Sequence, residues 1–203
     1  MPRPELRKVH AGDCVELIND WDAGWVDLVL SGPSATGSGQ ERKDRELSWI
    51  NACQRVLKPS GILATIWPIK DLWGWGQLLW EARWQVHLVR RVTCSRSKAN
   101  WSSQCVIVAT PENGLTQVPN LDAHFEQLTD PGWSSGFHPE IGLRVVETYT
   151  EPDAIVLDPF FGRGNTAIAC EWAGRPNWLG CECEELRIPE AMERIGRLTH
   201  EAG

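Results

Sequence analysis

The chain has 203 residues, 42% of them hydrophobic, enough apolar content for one substantial core and the usual size of a single domain, here 1–203. No apolar run approaches the roughly 20 residues that cross a bilayer, and the opening Met1-Pro2-Arg3-Pro4 lacks a secretion signal, so a soluble, cytoplasmic protein without a membrane partner is expected. A net charge of −7 argues against a general-purpose nucleic-acid binder, whose affinity comes from neutralising phosphates, while leaving room for a local basic groove from Arg42, Lys43 and Arg45 or from Arg90, Arg91, Arg96 and Lys98.

Val26 to Leu30 is a short apolar run ended by Ser31-Gly32-Pro33-Ser34, which reads as a buried strand stopped by a turn. From Glu41 to Leu57 apolar positions recur at helical spacing, and Lys58-Pro59-Ser60-Gly61 breaks that helix. Ile62 to Trp67 is the next strand. Asp71 to Arg83 reads as a helix weakened by Gly74 and Gly76, and Val86 to Val92 and Gln104 to Ala109 follow as strands. Pro111 to Gly136 has no sustained period and reads as a surface linker or recognition loop. A helix (Ile141 to Thr148), a strand (Ala154 to Leu157), a helix (Thr166 to Ala173), a strand (Trp178 to Cys183) and a last helix (about Ile188 to Leu198) complete the chain. This order favours a parallel sheet covered by helices and finished with an antiparallel pair. Seven scattered cysteines make neither a disulfide framework nor a paired zinc pattern, so buried thiols are expected and no metal. Twelve tryptophans fit core packing and partial burial.

The strand Ile155-Val156-Leu157 ends at Asp158, turns through Pro159-Phe160-Phe161 and enters a helix across Gly162-Arg163-Gly164-Asn165-Thr166. Glycines let backbone approach a ligand closely, and free amides at a helix start favour an electronegative group. Many unliganded strand-to-helix turns share that pattern. The second strand sharpens it, because Asn177 to Glu182 ends in an acid about 24 positions after Asp158, the offset at which a carboxylate takes a ribose hydroxyl pair. Glu182 is the candidate, with Glu184 and Glu185 as alternatives.

These residues carry a resemblance. Leu157-Asp158-Pro159-Phe160-Phe161-Gly162-Arg163-Gly164-Asn165-Thr166, followed by Trp178-Leu179-Gly180-Cys181-Glu182-Cys183-Glu184-Glu185, is similar to the cofactor half of the DNA amino-methyltransferases that modify adenine N6 or cytosine N4. His138-Pro139 resembles the motif just before that family's cofactor strand, without its usual Lys-Pro. His10-Ala11-Gly12-Asp13-Cys14 resembles its opening Gly-Asp, Val26 to Ser31 its catalytic strand, and Arg55 to Gly61 the link from catalytic helix to next strand. The likeness spans nearly the whole chain in permuted order: a catalytic half at about 8–110, a loop or reduced target-recognition segment at about 111–136, and a cofactor half at about 137–200.

The resemblance implies an α/β, Rossmann-like S-adenosylmethionine-dependent methyltransferase fold, with a mostly parallel seven-stranded sheet, an antiparallel strand and helices on both faces. It places Ser31 and Asp158 on neighbouring strands facing one crevice. It implies S-adenosyl-L-methionine held by Asp158, Pro159, Phe160, Gly162, Gly164, Thr166 and Glu182, with Asp13 at the adenine ring, and catalysis at Ser31, Gly32, Pro33 and Ser34. The implied substrate is a flipped base of double-stranded DNA in a bacterial or phage setting. So short a recognition segment fits a short site, a homodimer or a separate specificity protein.

The catalytic turn departs from the family's pattern of an acceptor followed by Pro-Pro and an aromatic. Ser31 keeps an acceptor and is nearer the cytosine-type Ser-Pro-Pro-Tyr, favouring cytosine N4. Gly32 replaces a proline, and Ser34 replaces the ring that stacks on the base, a contact worth about 1–3 kcal/mol. Three readings follow: another aromatic (Trp67, Trp73 or Trp75) holds the base, the chain is a catalytically degenerate cofactor-binding or regulatory subunit, or the substrate is a different one, RNA or a small molecule.

Overall fold

The computed structural model describes residues 3–33, 39–97, 100–121, 128–129 and 137–200. Ser34, Lys98, the side chain of Arg96 and half of the expected loop at 111–136 lie outside the described residues. The elements in chain order are β1 (Lys8–Ala11), α1 (Cys14–Asn19), β2 (Val26–Ser31), α2 (Gly39–Val56), β3 (Leu57–Pro68), a single 3-10 turn (Ile69–Asp71), α3 (Leu72–Glu81), β4 (Trp84–Ser97), β5 (Asn100–Pro111), β6 (Leu128–Thr129), α4 (Pro139–Tyr149), β7 (Val156–Asp158), α5 (Asn165–Trp172), β8 (Trp178–Glu182) and α6 (Arg187–His200). Among the described residues, no helix is long and apolar enough to cross a membrane.

The strands form one sheet in the order β1-β8-β7-β2-β3-β5-β4-β6. β2 lies near its centre, parallel to β7 on one side and to β3 on the other. Only β5, among the described strands, runs against the rest, pairing antiparallel with both β3 and β4. The expected mostly parallel sheet is therefore present, and the two-residue β6 at its edge brings the count to eight.

Parallel strands covered on both faces are built from continuous apolar runs, and β2 shows why. Leu28 and Leu30 pack on one face with Val106, Val108, Ile141, Val145 and Ile168. Val26 and Val29 pack on the other with Ile50, Cys53, Leu63, Leu157 and Leu179. The alternation slips once, at the irregularity in the β2–β3 pairing between Val26 and Leu28. On the β3 side of that slip, Lys58-Pro59-Ser60-Gly61 forms a bulge inside β3: Val26 faces Leu57, and Leu28 then faces Ile62. The expected helix break is thus a strand that begins at once and buckles. Lys58 Nζ closes the buckle on Asp27 at 2.8 and 2.9 Å, and Asp27 Oδ2 also accepts the Ile155 amide at 2.9 Å, tying β2 to the entrance of β7.

β1 and α1 were not evident from periodicity. Only Val9 of β1 is buried, and α1 has just six residues, started by Asp13. Of the tryptophans, Trp49, Trp67 and Trp75 are core, with Trp75 stacked on Trp49 at 5.5 Å and tilted against Trp67 at 4.5 Å. Trp73 and Trp80 stand out on α3, 79% and 81% exposed. The described thiols are buried except Cys183, and burial pushes Cys14 up to about 12.

Under the β7–α5 turn, the Phe161 ring lies directly on the backbone of Gly180, where a β-carbon would sit 2.1 Å from Phe161 Cδ2. Gly180→Ala is expected to lower stability by about 1–3 kcal/mol through overpacking, read from the urea unfolding midpoint. An unchanged midpoint would mean that the ring has room to retreat.

Candidate active site

The carboxyl ends of β1, β8, β7 and β2 open on one edge of the sheet, where ligands bind in α/β folds. The β2–β7 register, Val29 opposite Leu157, brings the last residues of the two strands together. Ser31, fully buried, donates its hydroxyl to Asp158 Oδ1 at 3.1 Å. The same oxygen accepts the Phe160 amide at 3.0 Å. Thr166 Oγ1 lies 2.5 Å from Asp158 Oδ2 and 3.3 Å from the Leu30 carbonyl. Thr166 donates its one hydroxyl hydrogen to Asp158 Oδ2, the nearer acceptor. Burial pushes the Asp158 carboxyl up to about 6, the donors Thr166, Phe160 and Ser31 pull it back in part, and the charge of Glu182 adds to the push.

The glycine loop is fixed from below and open above. Phe161 donates its amide to the Cys181 carbonyl at 2.9 Å, and its ring stacks on Trp178 at 5.7 Å. Gly164 starts α5 at φ +77°, and a β-carbon there would come 2.8 Å from Ile195 Cδ1. Gly162, at φ +52°, is different: within 4 Å its β-carbon would meet only the Phe160 carbonyl at 3.8 Å, so this backbone faces open space. Pro159 is buried, while Phe160 is half-buried with its ring edge-on to Trp49 at 5.2 Å.

Glu182 ends β8, 6% exposed. Its Oε2 accepts the Gly162 amide at 2.9 Å and its Oε1 accepts the Glu184 amide at 2.9 Å. Glu184 and Glu185 are exposed, so Glu182 is the acid that faces the loop. Pairing of Ala11 with Glu182, and the Gly12 amide on the Glu182 carbonyl at 2.9 Å, set Asp13 at the same edge. Asp13 Oδ1 caps α1 by accepting the amides of Val15 and Glu16 at 2.8 and 3.2 Å.

In the turn after β2, Ser31 and Pro33 are buried and Gly32 is half-buried; Ser34 is outside the described residues. The tryptophan alternatives divide. Trp67 and Trp75 are 1% and 2% exposed with their faces against other rings, and Trp75 Nε1 donates to Thr65, the β3 neighbour of Ser31, at 2.9 Å. Neither has a free ring face; Trp73, in the first turn of α3, is exposed to solvent. His138 caps α4, its Nδ1 accepting the Glu140 amide at 3.2 Å. Two residues escaped the sequence reading. Asn165 Nδ2 donates to the Phe137 carbonyl at 2.7 Å, and the Phe137 ring lies against Gly32. The position of Phe137 just before His138-Pro139 was the available signal.

Comparison with known proteins bears on the fold that carries this site. The profile of a family described as DNA methylase, of N6 and N4 type, matches residues 137–193. Over most of its length the chain is similar to YubD of Escherichia coli strain K12, whose name classes it as a methylase, at 26% identity over 91% of this chain and 88% of that protein. It is also similar to the type II methyltransferase M.BglII of Bacillus subtilis, at 25% identity over 95% and 69%. M1.HpyAVI in complex with SAM superposes with a TM-score of 0.73 at 19% identity, covering 93% of this chain and 98% of that one. PvuII DNA methyltransferase, cytosine-N4-specific, gives 0.72 at 16%, covering 98% and 93%. The methyltransferase fold expected from the sequence is borne out, and the likeness to DNA amino-methyltransferases holds.

The Asp158 carboxyl binds a proton more readily in the folded protein than in the unfolded chain, which makes stability depend on pH. The unfolded carboxyl releases it near 3.8 and the folded one near 6. This group's contribution to stability is therefore complete below 3.8 and lost as pH rises through about 6, by roughly 2–3 kcal/mol. Asn at 158 accepts from Ser31 and donates to Thr166 without titrating, so Asp158→Asn should flatten the fall in urea-unfolding free energy across that window. An unchanged slope would place the proton elsewhere.

Proposed function

We propose that the protein is an S-adenosylmethionine-dependent DNA methyltransferase that modifies an exocyclic amino group, with cytosine N4 favoured over adenine N6. The observation that carries this reading is the buried hydrogen bond from Ser31 to Asp158, which joins the end of the catalytic strand to the glycine loop.

The residues at the crevice fit the cofactor. The open backbone at Gly162 leaves room for close approach, and Glu182 already accepts a hydrogen bond where a ribose hydroxyl pair would donate. Asp158, Pro159, Phe160, Gly162, Gly164, Thr166 and Glu182 would form the cradle, with Asp13 on the side of the adenine. When bound, the cofactor supplies an electrophilic sulfonium methyl group. The chain's own contribution is orientation. Because Ser31 donates its hydroxyl hydrogen bond to Asp158, the lone pairs of its oxygen remain to accept an amino hydrogen and would orient the amine. Gly32 and Pro33 shape the backbone beside it. The target is a flipped base of double-stranded DNA, read in the cytoplasm with the help of a second copy or a separate specificity protein.

A second reading, a cofactor-binding regulatory subunit that transfers no methyl group, is favoured by the full burial of Ser31. An amine reaches that oxygen only when the turn opens.

Incubation with methyl-labelled cofactor and unmodified DNA, followed by nucleoside mass spectrometry, separates the two and identifies the base. Label in N4-methylcytosine is expected. Ser31→Ala should lower the rate on the order of 100-fold while calorimetric cofactor affinity stays unchanged. Glu182→Ala should weaken the cofactor about tenfold or more through loss of charge-assisted bonds. Cofactor binding without label would leave the regulatory reading, and absence of both would sink the two together.

A further inference from the structure

We infer that Phe137 is the positioning residue of the catalytic turn, and that position 32 is glycine because this ring fills the space of its side chain. The kinetic part of this inference rests on the methyltransferase reading; the packing part does not.

Phe137 is 3% exposed, and its ring sits between Gly32, in the turn after β2, and Gly142 of α4. A β-carbon at Gly32 would lie 2.8 Å from Phe137 Cδ1, and one at Gly142 would lie 2.9 Å from Phe137 Cε2 and 2.9 Å from Ala169 Cβ. Neither site accepts even alanine unless the ring moves. Conformational freedom does not explain Gly32, because it is absent from the residues with positive φ. Steric exclusion by the ring does, and the proline of related turns would put its β-carbon in the same place. Gly142 makes the same point independently. It lies inside α4, where glycine costs about 1 kcal/mol relative to alanine, and close packing of Phe137 and Ala169 against its backbone offsets that cost.

The backbone of Phe137 is held as firmly as its ring. Its carbonyl accepts from Asn165 Nδ2 at 2.7 Å, and Asn165 Oδ1 accepts from Arg194 Nη1 at 2.8 Å. Asn165 is the first residue of α5, directly after the glycine loop. Phe137 therefore bridges the helix that starts at the cofactor loop and the turn that follows Ser31. A displaced ring frees Gly32, and the oxygen of Ser31, one residue away, loses its alignment with Asp158. Positioning errors of this size are costly in group transfer.

The test is a double-mutant cycle read with and without substrate. Gly32→Ala alone and Phe137→Ala alone should each lower kcat by 10- to 100-fold, on the order expected for misalignment, with the KM for cofactor changed less than about twofold. Gly32→Ala combined with Phe137→Ala should regain most of that loss, because the new methyl group enters the space the ring vacates, and Phe137→Leu should retain more activity than Phe137→Ala. Without substrate, the α-protons of Gly32 should carry a ring-current shift in NMR spectra that disappears in Phe137→Leu, together with a change in the Ser31 amide signal. Additive losses in kcat, or a KM effect that accounts for the whole loss, would overturn the positioning role. Unchanged Gly32 and Ser31 signals in Phe137→Leu would overturn the contact itself. If the unmutated protein transfers no methyl group, the functional reading fails, and the NMR result alone decides whether Phe137 sets the turn.

Discussion

A carboxyl group placed almost wholly out of water has to find hydrogen-bonding partners, and Asp158 is 2% exposed. The partners come from separate parts of the chain: the hydroxyl of Ser31 at the end of β2, the amide of Phe160 in the loop, and the hydroxyl of Thr166 in the first turn of α5. None of these groups can drift without leaving a buried polar atom unsatisfied, a loss of about 1–3 kcal/mol each. One side chain thus holds the end of one strand, a loop and a helix start in a common register. The crevice has its shape because these segments converge on the acid.

The surroundings make that convergence rigid. β7 has only three residues, all buried, yet it lies between β2 and β8 and takes its position from both. The Asp27 carboxylate bonds the amide just before β7 and the lysine that closes the bulge of β3, so the entry of the strand is held as tightly as its exit. Phe161 pins the loop against Gly180 from beneath. With its lower side occupied, the loop turns the backbone of Gly162 outward into open space.

Much of this could be read from residue order. Apolar runs identified β2, β7 and β8, because strands buried on both faces leave continuous hydrophobic signatures. Glu182 emerged from its offset to Asp158, since a short strand–helix–strand unit has a nearly fixed length. The neighbourhood of Ser31 and Asp158 followed from resemblance to a permuted family, as no local pattern encodes which parallel strands pair. The missed features were tertiary. β1 has one buried residue and is a strand because β8 pairs with it. Lys58 to Gly61 has the composition of a breaker, and only the register between β2 and β3 reveals a bulge. Gly32 looked like a lost proline, whereas its cause is an aromatic ring that is about 105 positions away in the chain and in contact in space.

The pairing of β1 with β8 bears on the history of each molecule as well as on its finished form. The two strands are separated by roughly 170 residues, a loop closure of the kind that slows folding. During synthesis the segment carrying Asp13 emerges early and waits for its partner, while β2, α2 and β3 can already associate. The ledge formed by Asp13 and Glu182 is among the last parts of the molecule to exist, so a nascent chain has β2 in place before it has a complete crevice.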